Sequence, residues 1–190
     1  MRKYFIGAML LSSILPSLAD ENVQDLLKIF DSVCVGSAVN PAKIQAAVDF
    51  FNKTPPWHSM AVNAEMQKQL DMSSVGQAQR KDYGIIKEDT ATKSEDSFYL
   101  VTAGKKQYDG ITINSCSITV KYIPVTTVKA GLEKLYKIRN VIEERQGLSL
   151  VSIYEVDLIG LPPHKYAIGI QEDYAPDKPS EMFTLSLFER

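Results

Sequence analysis

Residues able to do chemistry are few in this chain, with two histidines and two cysteines in 190 residues. His58 closes the run Pro55-Pro56-Trp57-His58, which also carries the only tryptophan, and His164 closes Pro162-Pro163-His164. A histidine can move protons or ligate a metal near neutral pH. Each of these two follows a rigid proline pair, where a solvated turn residue is the commoner role. Glu155 with Asp157, and Glu172 with Asp173, are the notable carboxylate pairs. Paired carboxylates can divide acid and base roles, although charge pairs near turns are usually just solvated. Trp57 has two readings, an aromatic recognition loop on a rigid turn or a plug at the edge of the core, and the plug is favoured. Trp57, His58, His164 and Glu172 are therefore surface candidates only. No catalytic residue, metal ligand or cofactor is assigned, because no dinucleotide fingerprint, P-loop, H-E-x-x-H, G-x-S-x-G or C-x-x-C occurs.

The start of the chain gives these residues a compartment. Met1-Arg2-Lys3 is cationic, Tyr4 to Leu15 is apolar, and Ser17 and Ala19 are small residues ahead of Asp20. That order is a secretory signal peptide, cut before Asp20. The apolar run is shorter than the roughly 20 residues needed to span a bilayer. The expected organisation is a signal peptide over 1–19 and a single α+β domain over 20–190, soluble, without a membrane span, and periplasmic or secreted. Loss of Arg2 and Lys3 takes two from 21 Lys and Arg against 23 Asp and Glu, a mature net charge of about −4. That balance disfavours sequence-independent nucleic-acid binding. In an oxidising compartment Cys34 and Cys116 read as a disulfide closing a loop of about 80 residues, worth about 4–5 kcal/mol in chain-entropy terms. The alternative is two buried free thiols.

The elements that must position these residues follow from periodicity. Val23, Leu26, Leu27, Phe30 and Val33 recur at helical spacing and lead to Cys34. Asn40-Pro41 starts a second helix, with Ile44, Ala47, Val48 and Phe51 on one face and Pro55-Pro56 as its stop. Asn63 to Met72 is weakly helical, Ser73 to Arg80 and Glu88 to Asp96 read as loops, and Tyr83 to Lys87 is a short strand. Ser97 to Thr102 is a strand, Ala103 to Lys106 a turn, and Asp109-Gly110 a second turn or bulge. The central stretch Ile111 to Val125 alternates in two phases, with a bulge expected near Asn114-Ser115. Val125 to about Lys137 is helical, capped by Thr126 or Thr127, with Val128, Leu132 and Leu135 repeating. Beyond it, either Val141 to Arg145 prolongs the helix to a stop at Gly147 or Arg139-Asn140 begins a loop. Leu148–Leu158, Tyr166–Gln171 and Met182–Phe188 are strands, with Asp173 to Ser180 as a linker. The fold class is α+β, a mainly antiparallel sheet with helices packed on one face and an N-terminal αα unit tied to a central strand by a disulfide.

The segments FDSVC, NPAKIQAAVDFFN leading to PPW, and NSCSITV resemble a loose group of small exported bacterial proteins framed by two cysteines. The resemblance supports the Cys34–Cys116 bridge and implies no activity. Export, the stapled scaffold and the missing catalytic signatures point to a non-catalytic binding protein with a protein partner in the cell envelope. The alternatives are a small periplasmic hydrolase or ligand-binding enzyme, with His58, His164 and Glu172 as first candidates, and an immunity-type inhibitor.

Overall fold

The computed structural model describes residues 18–60, 62, 77–88, 97–108, 111–121, 123–146, 149–173 and 182–189. The segment expected to be a signal peptide, 1–19, therefore lies almost wholly outside the described residues. So do the weak helix over 63–72, the loop over 89–96, the turn at 109–110 and most of the 173–180 linker.

Among the described residues eight strands form one sheet: β1 (Trp57–Met60), β2 (Gln77–Lys87), β3 (Ser97–Tyr108), β4 (Ile111–Val120), β5 (Lys137–Gln146), β6 (Ser149–Asp157), β7 (Tyr166–Asp173) and β8 (Phe183–Glu189). Their order is β1-β2-β3-β4-β8-β7-β6-β5, and every pairing is antiparallel. Among the described residues the sheet ends in β5 on one side and, on the other, in the short β1, which pairs with only residues 84–87 of β2. Among the described residues there are three α-helices, α1 (Leu18–Ile29), α2 (Pro41–Phe51) and α3 (Val125–Leu135). They bury their apolar stripes against one face of the sheet, giving the α+β layering expected from the alternating patterns.

The core repeats the two periodicities of the sequence. Val23, Leu26, Leu27, Phe30 and Val33 are all buried, as are Ile44, Val48 and Phe51. From the sheet come Tyr99 and Val101, Cys116 and Ile118, Tyr154 and Val156, Ile168 and Ile170, and Leu185 and Leu187. Asn40 caps α2, its Oδ1 accepting from the backbone N–H of Ala42 (3.0 Å) and Lys43 (3.3 Å). The α3 cap differs from expectation. Pro124 takes the position without a side-chain bond, its carbonyl accepting from Thr127 and Val128.

After α1 the chain widens into a π-helical turn, Phe30–Val35, closed by the Gly36 N–H on Asp31 O at 2.8 Å. Cys34 sits in that turn and is bonded to Cys116 with Cα atoms 5.3 Å apart. On the sheet Cys116 lies between Ala103 of β3 and Leu187 of β8. The staple thus joins the N-terminal helices to the middle of the sheet.

Four expectations are corrected. Ala103 to Lys106 is not a turn, because β3 runs on to Tyr108, with Ala103 opposite Cys116 and Gly104 opposite Ser115. The β4 register continues without a bulge, so Ile113 and Ser115 lie on the face away from the helices. β2 begins at Gln77 and is an eleven-residue strand rather than a short piece after a loop. The stretch after α3 is neither helix nor loop but β5, paired along β6.

Candidate functional site

At the β5–β6 corner, cross-strand partners alternate in charge. Lys137 lies opposite Asp157 and Arg139 opposite Glu155, both on the face away from the helices, while Ile138 opposite Val156 faces the core. Arg139 Nη2 is bonded to Glu155 Oε2. The 158–165 turn brings His164 to the same corner, with Gly160 at φ +81° and His164 at φ +57°. His164 Nδ1 stands 3.5 Å from Glu155 Oε1 and 3.7 Å from Asp157 Oδ1. Its backbone N–H donates to Asp157 Oδ1 at 3.2 Å. Lys137, Ile138, Arg139, Glu155, Asp157 and His164 line an open hollow of about 290 Å³.

The chemistry available to this corner is limited by its geometry. The histidine–carboxylate separations suit an ion pair but exceed hydrogen-bond reach. A proton-transfer pair needs heavy atoms at roughly 2.6–3.2 Å, and covalent catalysis needs an adjacent nucleophile. None of the six lining residues is a Ser, Thr or Cys. Among the described residues no group of three His, Cys, Asp or Glu is arranged to hold a metal ion. The arrangement can recognise charge, as an exposed cluster of two carboxylates, two cations and an imidazole.

The edge strand beside the hollow is the second feature. From Val141 to Arg145 every residue of β5 is exposed, on both faces of the sheet. Of the exposed large apolar residues, Val141 and Ile142 lie on β5, and Leu135 and Ile159 adjoin its start. A bulge at Val141 shifts the register between Asn140 and Ile142. The opposite edge, β1, is only four residues long.

The remaining sequence candidates lie elsewhere. Trp57 is no surface residue. It is 5% exposed, with Phe51 edge-on at 5.5 Å and Tyr99 tilted at 6.0 Å between ring centroids. Its indole plugs the gap between α2 and β3, and Lys28 and Lys87 each place Nζ 5.8 Å from its ring. His58 is on β1, at the far edge from His164, with Nδ1 3.6 Å from Glu88 Oε1. Glu172 sits near the end of β7 opposite Leu150 and Phe183, whereas His164 precedes the start of that strand. His58, His164 and Glu172 therefore do not converge, whereas the Glu155–Asp157 pair and His164 do.

A further polar cluster lay outside the sequence reading. Asp82, with a fully buried side chain, accepts from Arg80 Nε at 2.9 and 2.7 Å and from Thr102 Oγ1 at 2.6 Å. Ser117 with Ser186 (2.9 Å) and Thr119 with Thr184 (3.0 Å) extend the polar pairing across the same face. Alternation of polar residues along β4 and β8 was its only sequence signal.

The described residues define a disulfide-stapled α+β protein whose eight-stranded sheet ends in the ten-residue edge strand β5. No protein-family model matches the chain, no curated protein matches it, and no solved structure matches it. The two-cysteine resemblance therefore brings no activity with it.

Proposed function

We propose that the chain is an exported, non-catalytic interaction protein whose partner-binding surface is the outer edge of β5. The observation that carries this is the asymmetry of the two edges. Proteins commonly blunt edge strands by shortening or covering them, because unpaired N–H and C=O groups template further pairing. β1 is short, whereas β5 offers ten residues, and nothing among the described residues pairs with its outer side. Strand addition at such an edge takes affinity from main-chain hydrogen bonds and specificity from alternate side chains. The leader and the Cys34–Cys116 bridge support a site of action in an oxidising compartment.

The hydrolase reading finds less support, since its three residues stand apart and no Ser, Thr or Cys lines the His164 corner. A photo-cross-linking residue at Val141, in protein produced in its own cell, is expected to yield a discrete protein adduct. The same residue at Phe50, which is 67% exposed on α2, is expected to yield none. Equal adducts at both positions, or none at Val141, would contradict the proposal.

A further inference from the structure

Resting on the reading of β5 as a working edge, we infer that its partner is β5 of a second copy of this chain, paired antiparallel about a two-fold axis between Val141 and Ile142. The pattern of the strand itself supplies the occupant. In a regular strand, residues five apart point to opposite faces, so Arg139 and Glu144 could not meet across a two-fold axis at the strand's centre. The bulge at Val141 removes that obstacle. Arg139 lies opposite Glu155 and Glu144 opposite Val151, two β6 residues of the same phase, so both side chains stand on the face away from the helices. By the same register Ile138 and Arg145 share the other face, opposite Val156 and Leu150.

Pairing all ten positions about that axis sets Arg139 against the partner subunit's Glu144. Ile138 meets the partner subunit's Arg145, and Val141 meets the partner subunit's Ile142. The arrangement repeats on the other side of the axis. No two like charges fall opposite one another anywhere along the strand. Opposite-charge and apolar pairs directly across an antiparallel ladder are the favourable ones, and like charges the unfavourable ones. Arg139 then lies between Glu155 on its own sheet and the partner subunit's Glu144, a ladder of alternating charge. Val141 and Ile142, each 46% exposed in the single chain, become the apolar centre of the joint. The two sheets continue into one. A closed two-fold pairing also removes the open edge, so association stops at two.

The test is the oligomeric state of the purified, disulfide-intact chain, followed by sedimentation velocity across a concentration series. Wild type is expected to pass from monomer to dimer with rising concentration. Glu144→Arg alone and Arg139→Glu alone place like charges at both symmetric contacts and are each expected to raise the dissociation constant at least about tenfold. An equimolar mixture of the two variants restores an Arg–Glu pair at both contacts and is expected to recover the wild-type dimer. Arg139→Glu also faces Glu155, so Ile142→Lys, clear of that pair, is the second variant and is expected to weaken the dimer alone. A wild type that stays monomeric to about 1 mM, a dimer indifferent to these substitutions, or a mixture that fails to recover would each overturn the inference. Should wild type be monomeric while the Val141 cross-linker captures a different protein, self-pairing falls and the β5 binding surface stands.

Discussion

Glu189, at the end of β8, shows how single contacts tune this fold. Lys165 Nζ donates to it at 2.5 Å and Asn114 Nδ2 at 2.7 Å, and together they hold its carboxyl below the usual carboxylate range against the opposing effect of burial. A carboxyl depressed in the folded state adds stability above its unfolded pKa, and that stability is lost as pH falls through the folded value. Glu189→Gln is therefore expected to flatten the loss of stability below about pH 4.3, followed by urea midpoints across an acid series. Lys87 is the basic counterpart. Burial alone would lower its pKa, but hydrogen bonds to Asp25 (2.6 Å) and Glu21 (2.7 Å) and their charges outweigh that and raise it. Its contribution is present below the ordinary lysine range and is lost at higher pH. It fastens α1 to β2 beside Trp57. The cysteine pair and the buried tryptophan were legible in the sequence because each has one dominant structural role. The buried Asp82 was not, since its Arg80 and Thr102 partners come from the same and the neighbouring strand, a register that no local pattern encodes.

Elements were legible where period and packing agreed. α1 and α2 place every apolar residue of their 3.6-residue repeats in or against the core, and Asn40-Pro41 starts α2 as its cap chemistry dictates. Legibility failed where a strand mimicked something else. Ile138, Val141 and Ile142 stand at i, i+3 and i+4, which is helical spacing, yet they belong to β5. The bulge at Val141 breaks the two-residue alternation and leaves a helix-like pattern behind. Gly104-Lys105-Lys106 has turn composition, but pairing with β4 on one side and β2 on the other holds it extended. Ile113 suggested a change of phase in β4, when it is an apolar residue on the face away from the helices. The staple between the π-helical turn and β4 closes 82 positions of sequence. Chain-entropy reasoning gives it about 4–5 kcal/mol. Reduction, or Cys34→Ser with Cys116→Ser, is expected to lower the unfolding free energy extrapolated from urea titrations by an amount of that order, and the midpoint with it. An unchanged midpoint would mean that the helices hold to the sheet without it.

The whole molecule is a sheet with unequal ends. Its middle is covered by helices and pinned by Cys34–Cys116, its β1 edge is short, and its β5 edge is long, exposed and charge-patterned. The α+β class and the helix-covered face could be read from the chain because binary patterning sets layers. The working corner could be read only in part. Glu155, Asp157 and His164 were visible as residue types, but their meeting depends on the 158–165 turn, and the edge depends on a strand order that sequence does not display. Among the described residues no helix is long and apolar enough to cross a membrane.

Amide hydrogen exchange along 137–146, at dilute and concentrated protein, tests the central claim most directly, namely that β5 pairs with β5. Amides bonded to β6 are protected at both concentrations, while those on the outer side exchange rapidly when dilute. The outer amides are expected to become protected as concentration rises, in alternation along the strand and on both sides of Val141. Outer amides that exchange equally fast at every concentration, while those bonded to β6 stay protected, would contradict it.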